Sequence, residues 1–509
     1  MTNRFATYHQ ESGGKVLILF LLFFLAIYQF YHAGFSAFAI ICILPIFIPV
    51  IYAMFTWQMA AFWALVVVNY FLQWWNKNEW LPGAVPVSMY NELIEILLLV
   101  IAIIDARQSP HFERVGNLMF LSLMVWCGFC TLEALNDTCD LGINIGNWYA
   151  GARMMAFQLL YAYLVFVLYI TTPERLMTYI RLWAVLSLFT VFWTWKQVYI
   201  GMTPKEHSWL YNVASGTHII NGGTLIRYFS THNDAASYGI NAATTAIFFF
   251  VMGITTQLKR DRVFFLLTSI LVIWGMFQSG TRTAIFCFAA GFMVFLVLSK
   301  SIKIMVPSAI AGMLFLGFLM FTDIGNGNQQ IRRMRSAFDK KDASANVRTI
   351  NQQAIRKYIK DAPWGIGLGA NYKNVPANNK YNKLSTIPPD SEYVFIWVHT
   401  GIIGITVFLI TTAIMFIGAC YIVFAKIKNK SLMGVGAGLC GAFAGIQLGG
   451  YGNQILMQFP NCLMFYGGLA IVYILPYIEP EWVKLEEKRL AEQKERERIK
   501  IEKKLASRV

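Results

Sequence analysis

The sequence predicts an all-α fold: a polytopic transmembrane helix bundle of about 12–14 spans, with a large, partly helical loop on its outer side. Three observations predict it. Of 509 residues, 57% are hydrophobic and only 14% charged, whereas soluble domains carry about 25% charged residues. Apolar runs long enough to cross a bilayer, about 20 residues each, recur along the chain. The short connections between them carry Lys and Arg on alternate sides, the charge pattern of a multi-pass membrane protein.

Taken in order, hydropathy and helix breakers place fourteen spans: 16–34, 36–55, 57–75, 89–106, 115–134, 153–171, 180–200, 235–256, 263–279, 283–299, 303–322, 401–425, 432–450 and 462–478. The first lacks a small-residue cleavage site and is followed at once by another, so it reads as a span and not a removed signal. Arg107 with Arg114, Arg175 with Arg181, Lys259 with Arg260 and Arg262, Lys300 with Lys303, and Lys426 with Lys428 and Lys430 fall on one side. That side is expected to be the cytoplasm, with both termini in it. The chain divides into N-terminal helices (1–200), a membrane region that holds the two long outer connections (201–478) and a charged tail helix, expected in the cytoplasm (479–509).

The eight cysteines give no redox or metal pattern. Most lie in apolar runs, and the Cys127–Cys130 pair has no partner pair at zinc spacing, so they read as small packing residues. The net charge of +15 matters less than its location.

Two outer connections are long, 201–234 and 323–393. The second far exceeds ordinary loop lengths. It contains "NVRTINQQAIRKYIKDAP", a helical pattern ended by Pro363, so it reads as folded. It holds twelve Lys and Arg residues against six acids. A basic soluble subdomain would explain the excess, because long loops escape the positive-inside rule. Arg227 and Arg282 are different: each stands within a few residues of a span end. Snorkelling to headgroups would account for them, but Arg282 follows a Ser-Gly-Thr turn and opens a helix. With the loop arginines, the two suit a bidentate grip on phosphate oxygens at the membrane surface.

Few groups could move a proton. Asp390 and Glu392 follow the diproline Pro388–Pro389. Asp390 suits either the N-cap of a surface helix or a general base for a hydroxyl. His232, in "STHND", is an alternative base or a turn residue, and His399 reads as structural. The glycines of "WGIGLGAN", Gly365, Gly367 and Gly369, have no strand before them and no helix start after them. Neither nucleotide nor nucleic-acid binding is expected.

Three patches together resemble the O-antigen ligase and polymerase family of bacterial membrane glycosyltransferases: "FQSGTRTAIFCFAAGF", "NVRTINQQAIRKYIKDAPWGIGLGAN" and "PPDSEYVFIWVHTGIIGITVF". Their order and spacing agree with the family over roughly 225–425. The resemblance implies a metal-independent, cofactor-free transfer of glycan from an undecaprenyl diphosphate carrier to a hydroxyl, at the periplasmic face of the inner membrane. It implies Arg282, Arg227 and Arg348 as diphosphate ligands, and Arg356, Gly367 and Gly369 as substrate-loop residues. Asp390 and Ser391 stand where ligases of lipid A–core carry a His-Asn pair, which favours a polymerase over a ligase. Membrane lipids, and for a polymerase a chain-length regulator, are the partners implied. A transporter or flippase is the reading from another class, but the sequence shows no internal repeat and its ionisable residues gather at one surface.

Overall fold

The computed structural model describes residues 20–21, 23–25, 27–28, 49–81, 86–105, 111–220, 225–300, 302–327, 329–336, 343–371 and 374–506. The expected spans 16–34 and 36–55 lie largely outside the described residues, as do Arg107, Lys340, Lys341 and Lys373. Internal packing separates Met1–Phe62 from Trp63–Val509. In the first unit the described stretch Pro49–Thr56 is helical. Everything below concerns the second.

The protein is an all-α, multi-pass membrane bundle. Among the described residues nine helices are long and apolar enough to cross a membrane, or ten if Pro49–Thr56 and Gln58–Lys77 make one span. The expected span at 283–299 is a helix of 16 residues, Thr283–Leu298, shorter than the usual requirement of about 20. The expected boundary between a last span at 478 and a separate tail is replaced by continuous helix from Cys462 to Ala506. Nor is the tail simply solvated. Glu479 accepts the amides of Lys428 (2.7 Å) and Asn429 (2.6 Å), and buried Trp482 donates to Ser431 Oγ (2.8 Å).

Small residues let the central helices touch. A Cβ at Gly291 of Thr283–Leu298 would lie 2.6 Å from the Gly441 carbonyl oxygen of Lys430–Gly452. One at Gly441 would lie 2.7 Å from that of Gly291. Backbone therefore meets backbone at this crossing, the close approach that small residues allow in membranes. Helix starts follow local chemistry: the side chain of Asn117 accepts the amides of Met119 and Phe120, and Asp234 that of Ser237.

Both long connections are folded. In 201–234, Thr203 and Glu206 form a capping box that opens Pro204–Asn212, and Glu206 also accepts from Trp193 Nε1 (2.7 Å). Lys77 donates to the carbonyls of His232 and Asn233 and lies 3.6 Å over the Trp209 ring, tying this connection to a helix end. A two-stranded antiparallel pair, Ile219–Ile220 with Leu225–Ile226, closes it. In 323–393, the helix Ala343–Ile359 is joined to the body by a separate core of Ile355, Ile359, Ile366, Leu384 and Val398, with Cys139, while Gln329–Arg335 docks elsewhere through Met334.

That core is locked onto a broken helix. Glu392–Tyr421 breaks at Gly401, where φ is +66°. The amides of Ile366 and Gly367 take the carbonyls of Val398 (2.9 Å) and His399 (3.0 Å). A Cβ at Gly401 would lie 2.0 Å from the Pro363 oxygen. Gly401→Ala should therefore cost upward of about 2 kcal/mol, from the left-handed backbone and the clash together. A clear fall in the melting temperature of the purified protein is expected, and an unchanged one would show that the latch is not required.

Candidate active site

The turn between Lys259–Gln278 and Thr283–Leu298 gathers the arginines. Gly280 holds φ +58°, and even a Cβ there would come within 3.2 Å of Arg227 Cγ. Arg227 lies across the turn: Nε donates to Ser279 O (3.3 Å), Nη1 to Thr217 O (2.9 Å) and Nη2 to Thr281 Oγ1 (3.1 Å). Its own amide donates to His218 O (2.9 Å), fixing the chain as the strand pair ends.

A third element docks on the same turn. Fully buried Met334 of Gln329–Arg335 packs with Ile285, Phe277 and Phe318. This brings Arg333 Nε to Gly280 O (3.4 Å), and Arg282 Nη1 reaches Ser336 Oγ (3.2 Å). Arg335 turns away, donating to Ile324 O (2.6 Å) and Thr322 Oγ1 (3.3 Å), and so braces the loop before its helix.

The electrostatics show that these groups share one region. Burial lowers the Arg227 pKa to about 10, and the positive charges of Arg333, Arg282 and Arg348 push the same way, while Asp234 opposes them. Arg227 still stays charged near neutrality. Arg227, Arg282 and Arg333 thus share one turn with the charge of Arg348 acting on it, and forked donors of this kind suit phosphate oxygens.

The three candidate bases are placed differently. The expected N-cap role of Asp390 is not found: Ser391 is the N-cap of Glu392–Tyr421, and its Oγ donates to Gly450 O instead of capping. Asp390 sits in the left-handed region (φ +55°) after Pro389, and its Oδ2 accepts from Asn351 Nδ2 (2.7 Å). Asn351 is one helical turn beyond Arg348, so Asp390 lies beside the arginine-led helix.

Glu392 is buried, with Oε2 accepting the Leu456 amide (2.9 Å) and the amides of Ile455 and Met457 turned to the same carboxylate. His232 is 1% exposed, with its ring near those of Tyr70 and Tyr238 and beside Asn241. Burial above all pushes its pKa down to about 3.

Of the substrate-loop residues, Arg356 is exposed in the last turn of Ala343–Ile359. Gly367 (φ +91°) belongs to the latch on His399, and a Cβ at Gly369 would meet the Asn147 backbone at about 2.5 Å. Sequence reasoning did not single out Arg333 or Asn351. The run "RRMR", with one apolar residue among arginines, was the available sign of a docking face. Among the described residues no His, Cys, Asp and Glu side chains group in a way that could hold a metal ion.

Fold and site together define a multi-pass membrane protein with an arginine-rich site where two folded connections meet a helix turn. Residues 267–409 match the family model described as O-antigen ligase. The family acts on lipid-linked glycans. The matched stretch contains Arg282, Arg333, Arg348 and Asp390; Arg227 lies before it and reaches the site through the fold. No curated protein matches the chain.

The two carboxylates should separate in stability measurements. Glu392→Gln keeps one acceptor but turns an NH2 group toward backbone amides, and should cost about 1–3 kcal/mol. Asp390→Asn, with a single side-chain bond on a partly buried group, should cost under about 1 kcal/mol. Thermal unfolding of the two purified variants checks this; equal melting temperatures would contradict it.

Proposed function

We propose that this protein is a membrane glycosyltransferase that polymerises undecaprenyl diphosphate-linked oligosaccharide units at the outer face of the bacterial inner membrane. The observation that carries the reading is the meeting of Arg227, Arg282 and Arg333 at the Gly280 turn, with the charge of Arg348 also acting on Arg227. In this reading the acceptor hydroxyl oxygen attacks the anomeric carbon, with inversion. The bond from that carbon to the diphosphate oxygen breaks, and its electron pair leaves with the carrier. The guanidinium groups stabilise the charge that develops there. The hydroxyl proton passes to Asp390, whose Oδ2 is oriented by Asn351. Glu392 serves as a clamp on 455–457. Burial and a low pKa set His232 aside as the base.

The family match supports transfer of a lipid-linked glycan, and its description, O-antigen ligase, favours a second reading in which a finished glycan moves to a lipid or protein acceptor. Analysis of the product separates the two: a ladder of carrier-linked lengths for the polymerase, a single transfer to a different acceptor for the ligase.

Arg282→Lys keeps the charge but loses the fork, so turnover should fall about ten-fold or more with folding intact. Asp390→Asn should lower turnover by about two to four orders of magnitude. An in vitro assay with lipid-linked donor checks both, and wild-type rates in either variant would remove that residue from the mechanism.

The proposed sidedness has its own test. In a cysteine-free background, a cysteine replacing exposed Lys383 should react with an impermeant maleimide on intact inner membranes facing outward, and one replacing Lys259 should not. The reverse pattern would place the arginine site on the cytoplasmic face.

A further inference from the structure

The helix Pro173–Tyr199 turns one face out of the bundle. Arg181, Val185, Phe192, Trp195 and Tyr199 are all exposed and recur at helical spacing, so they form one stripe. At one end Arg181 Nη2 is held by both carboxylate oxygens of Asp261 (3.0 and 3.1 Å), and at the other stands Tyr199. The two ends are about 27 Å apart along the helix, close to the roughly 30 Å of a bilayer's hydrocarbon core. An apolar stripe of that length, bounded by a charge and a phenol, faces lipid. It puts the boundary between acyl chains and headgroups at Tyr199.

The exposed apolar side chains do not stop there. Ile200 follows, and in the connection 201–234 Tyr211 and Val213 are exposed as well, Val213 at 75%. The helix Pro204–Asn212 is held from its other side. Glu206 accepts from Trp193 Nε1 (2.7 Å) and Gln197 Nε2 (3.2 Å), and Leu210 packs with Phe229 and Ala235. Tyr211 and Val213 are thereby left on the outside. Burial raises the Tyr228 pKa and the phenols of Tyr211 and Tyr199 push it the same way, which places both near Tyr228. At the opposite end of the short helix, Lys205 pairs with Glu79, and both are exposed, as suits an ion pair in water.

We propose that Tyr199, Ile200, Tyr211 and Val213 form an interfacial anchor, a patch seated at the headgroup–acyl boundary of the leaflet on the side of the folded connections. Its occupant is lipid, because the patch continues the lipid-facing stripe of Pro173–Tyr199 without a break. Tyrosine suits that boundary, with its ring in the apolar layer and its hydroxyl in the wet one. The anchor belongs to the connection that carries Arg227, and four residues after Val213 the Thr217 carbonyl accepts from Arg227 Nη1 (2.9 Å). It therefore holds the arginine turn at the level of the headgroup phosphates. This last consequence deepens the lipid-linked reading above and rests on it; the anchor itself does not.

The test places the full chain in nanodiscs of phosphatidylethanolamine and phosphatidylglycerol. In a cysteine-free background, a nitroxide label is attached at Tyr211→Cys or Val213→Cys, with Val185→Cys as the lipid reference and Lys205→Cys as the water reference. Power-saturation EPR compares collisions with oxygen, which concentrates in lipid, and with a water-soluble nickel chelate. Labels at 211 and 213 should favour oxygen, as at 185, while the label at 205 favours nickel. Nickel-dominated collisions at both 211 and 213 would overturn the anchor, and so would shielding from both reagents, which would mean that protein covers the patch. A second measurement keeps the native cysteines: p-benzoylphenylalanine in place of Val213 should cross-link to phospholipid on irradiation, and adducts to protein alone would overturn the proposal. Neither readout needs glycan transfer, so a patch found in lipid on a chain that transfers no lipid-linked glycan would sink the functional reading and leave the anchor standing.

Discussion

Like charges do not assemble themselves. Two unit charges 4 Å apart in an effective dielectric of about 20 repel by roughly 4 kcal/mol, so the arginines at the Gly280 turn must be held there by something else. Carbonyl oxygens and a small apolar core do so. Arg227 is fixed by Ser279 and Thr217, Arg333 by Gly280, and the helix that carries Arg333 by Met334 inserted among Ile285, Phe277 and Phe318. The turn in turn stands at the head of Thr283–Leu298, whose position is fixed by the contact of Gly291 with Gly441. The site's charge is thus imposed by backbone geometry, which leaves it in place for an incoming anion without rearrangement.

The second constraint is the break at Gly401. An unbroken helix would spend the Val398 and His399 carbonyls on its own next turn. Here they are given to Ile366 and Gly367, and the Ile403 amide is turned to Pro363. The exchange joins the folded connection to a membrane helix through backbone bonds, and it depends on Gly401, whose left-handed backbone opens the break. It also fixes where the helical stretch that follows Asp390 ends.

Much of this was legible in the sequence for physical reasons. Bilayer thickness writes spans as long apolar runs, and the Arg282 turn was conspicuous because a charge between two such runs is costly. The Arg348 helix was readable from its periodicity and its terminating proline. What was not legible depended on distant partners. Glu392 looked like a base because its three amide donors come from 455–457, more than 60 residues on. Asp390 looked like a cap because capping residues are read from composition, whereas its left-handed backbone and its bond to Asn351 follow from how the loop helix docks. His232 looked available because sequence does not show burial. The tail looked separate because polarity changes at 479 while the helix, held by Glu479 and Trp482, does not stop.

The arrangement also bears on how one scaffold could serve either polymerase or ligase chemistry. Under the proposed function the step at the turn is the same for both: a diphosphate leaves, and its charge is met by fixed cations. What differs is the acceptor, which must be recognised by groups other than the arginines, since a hydroxyl offers them no charge. Asp390, the base of the proposed mechanism, is carried by a connecting segment, while the arginine turn is seated on packed membrane helices. Connecting segments can change without disturbing the Gly291–Gly441 crossing. Under the proposed function, acceptor choice can therefore vary while the leaving-group site stays fixed, and the acceptor is to be sought in the chemistry of the connecting segment that carries Asp390.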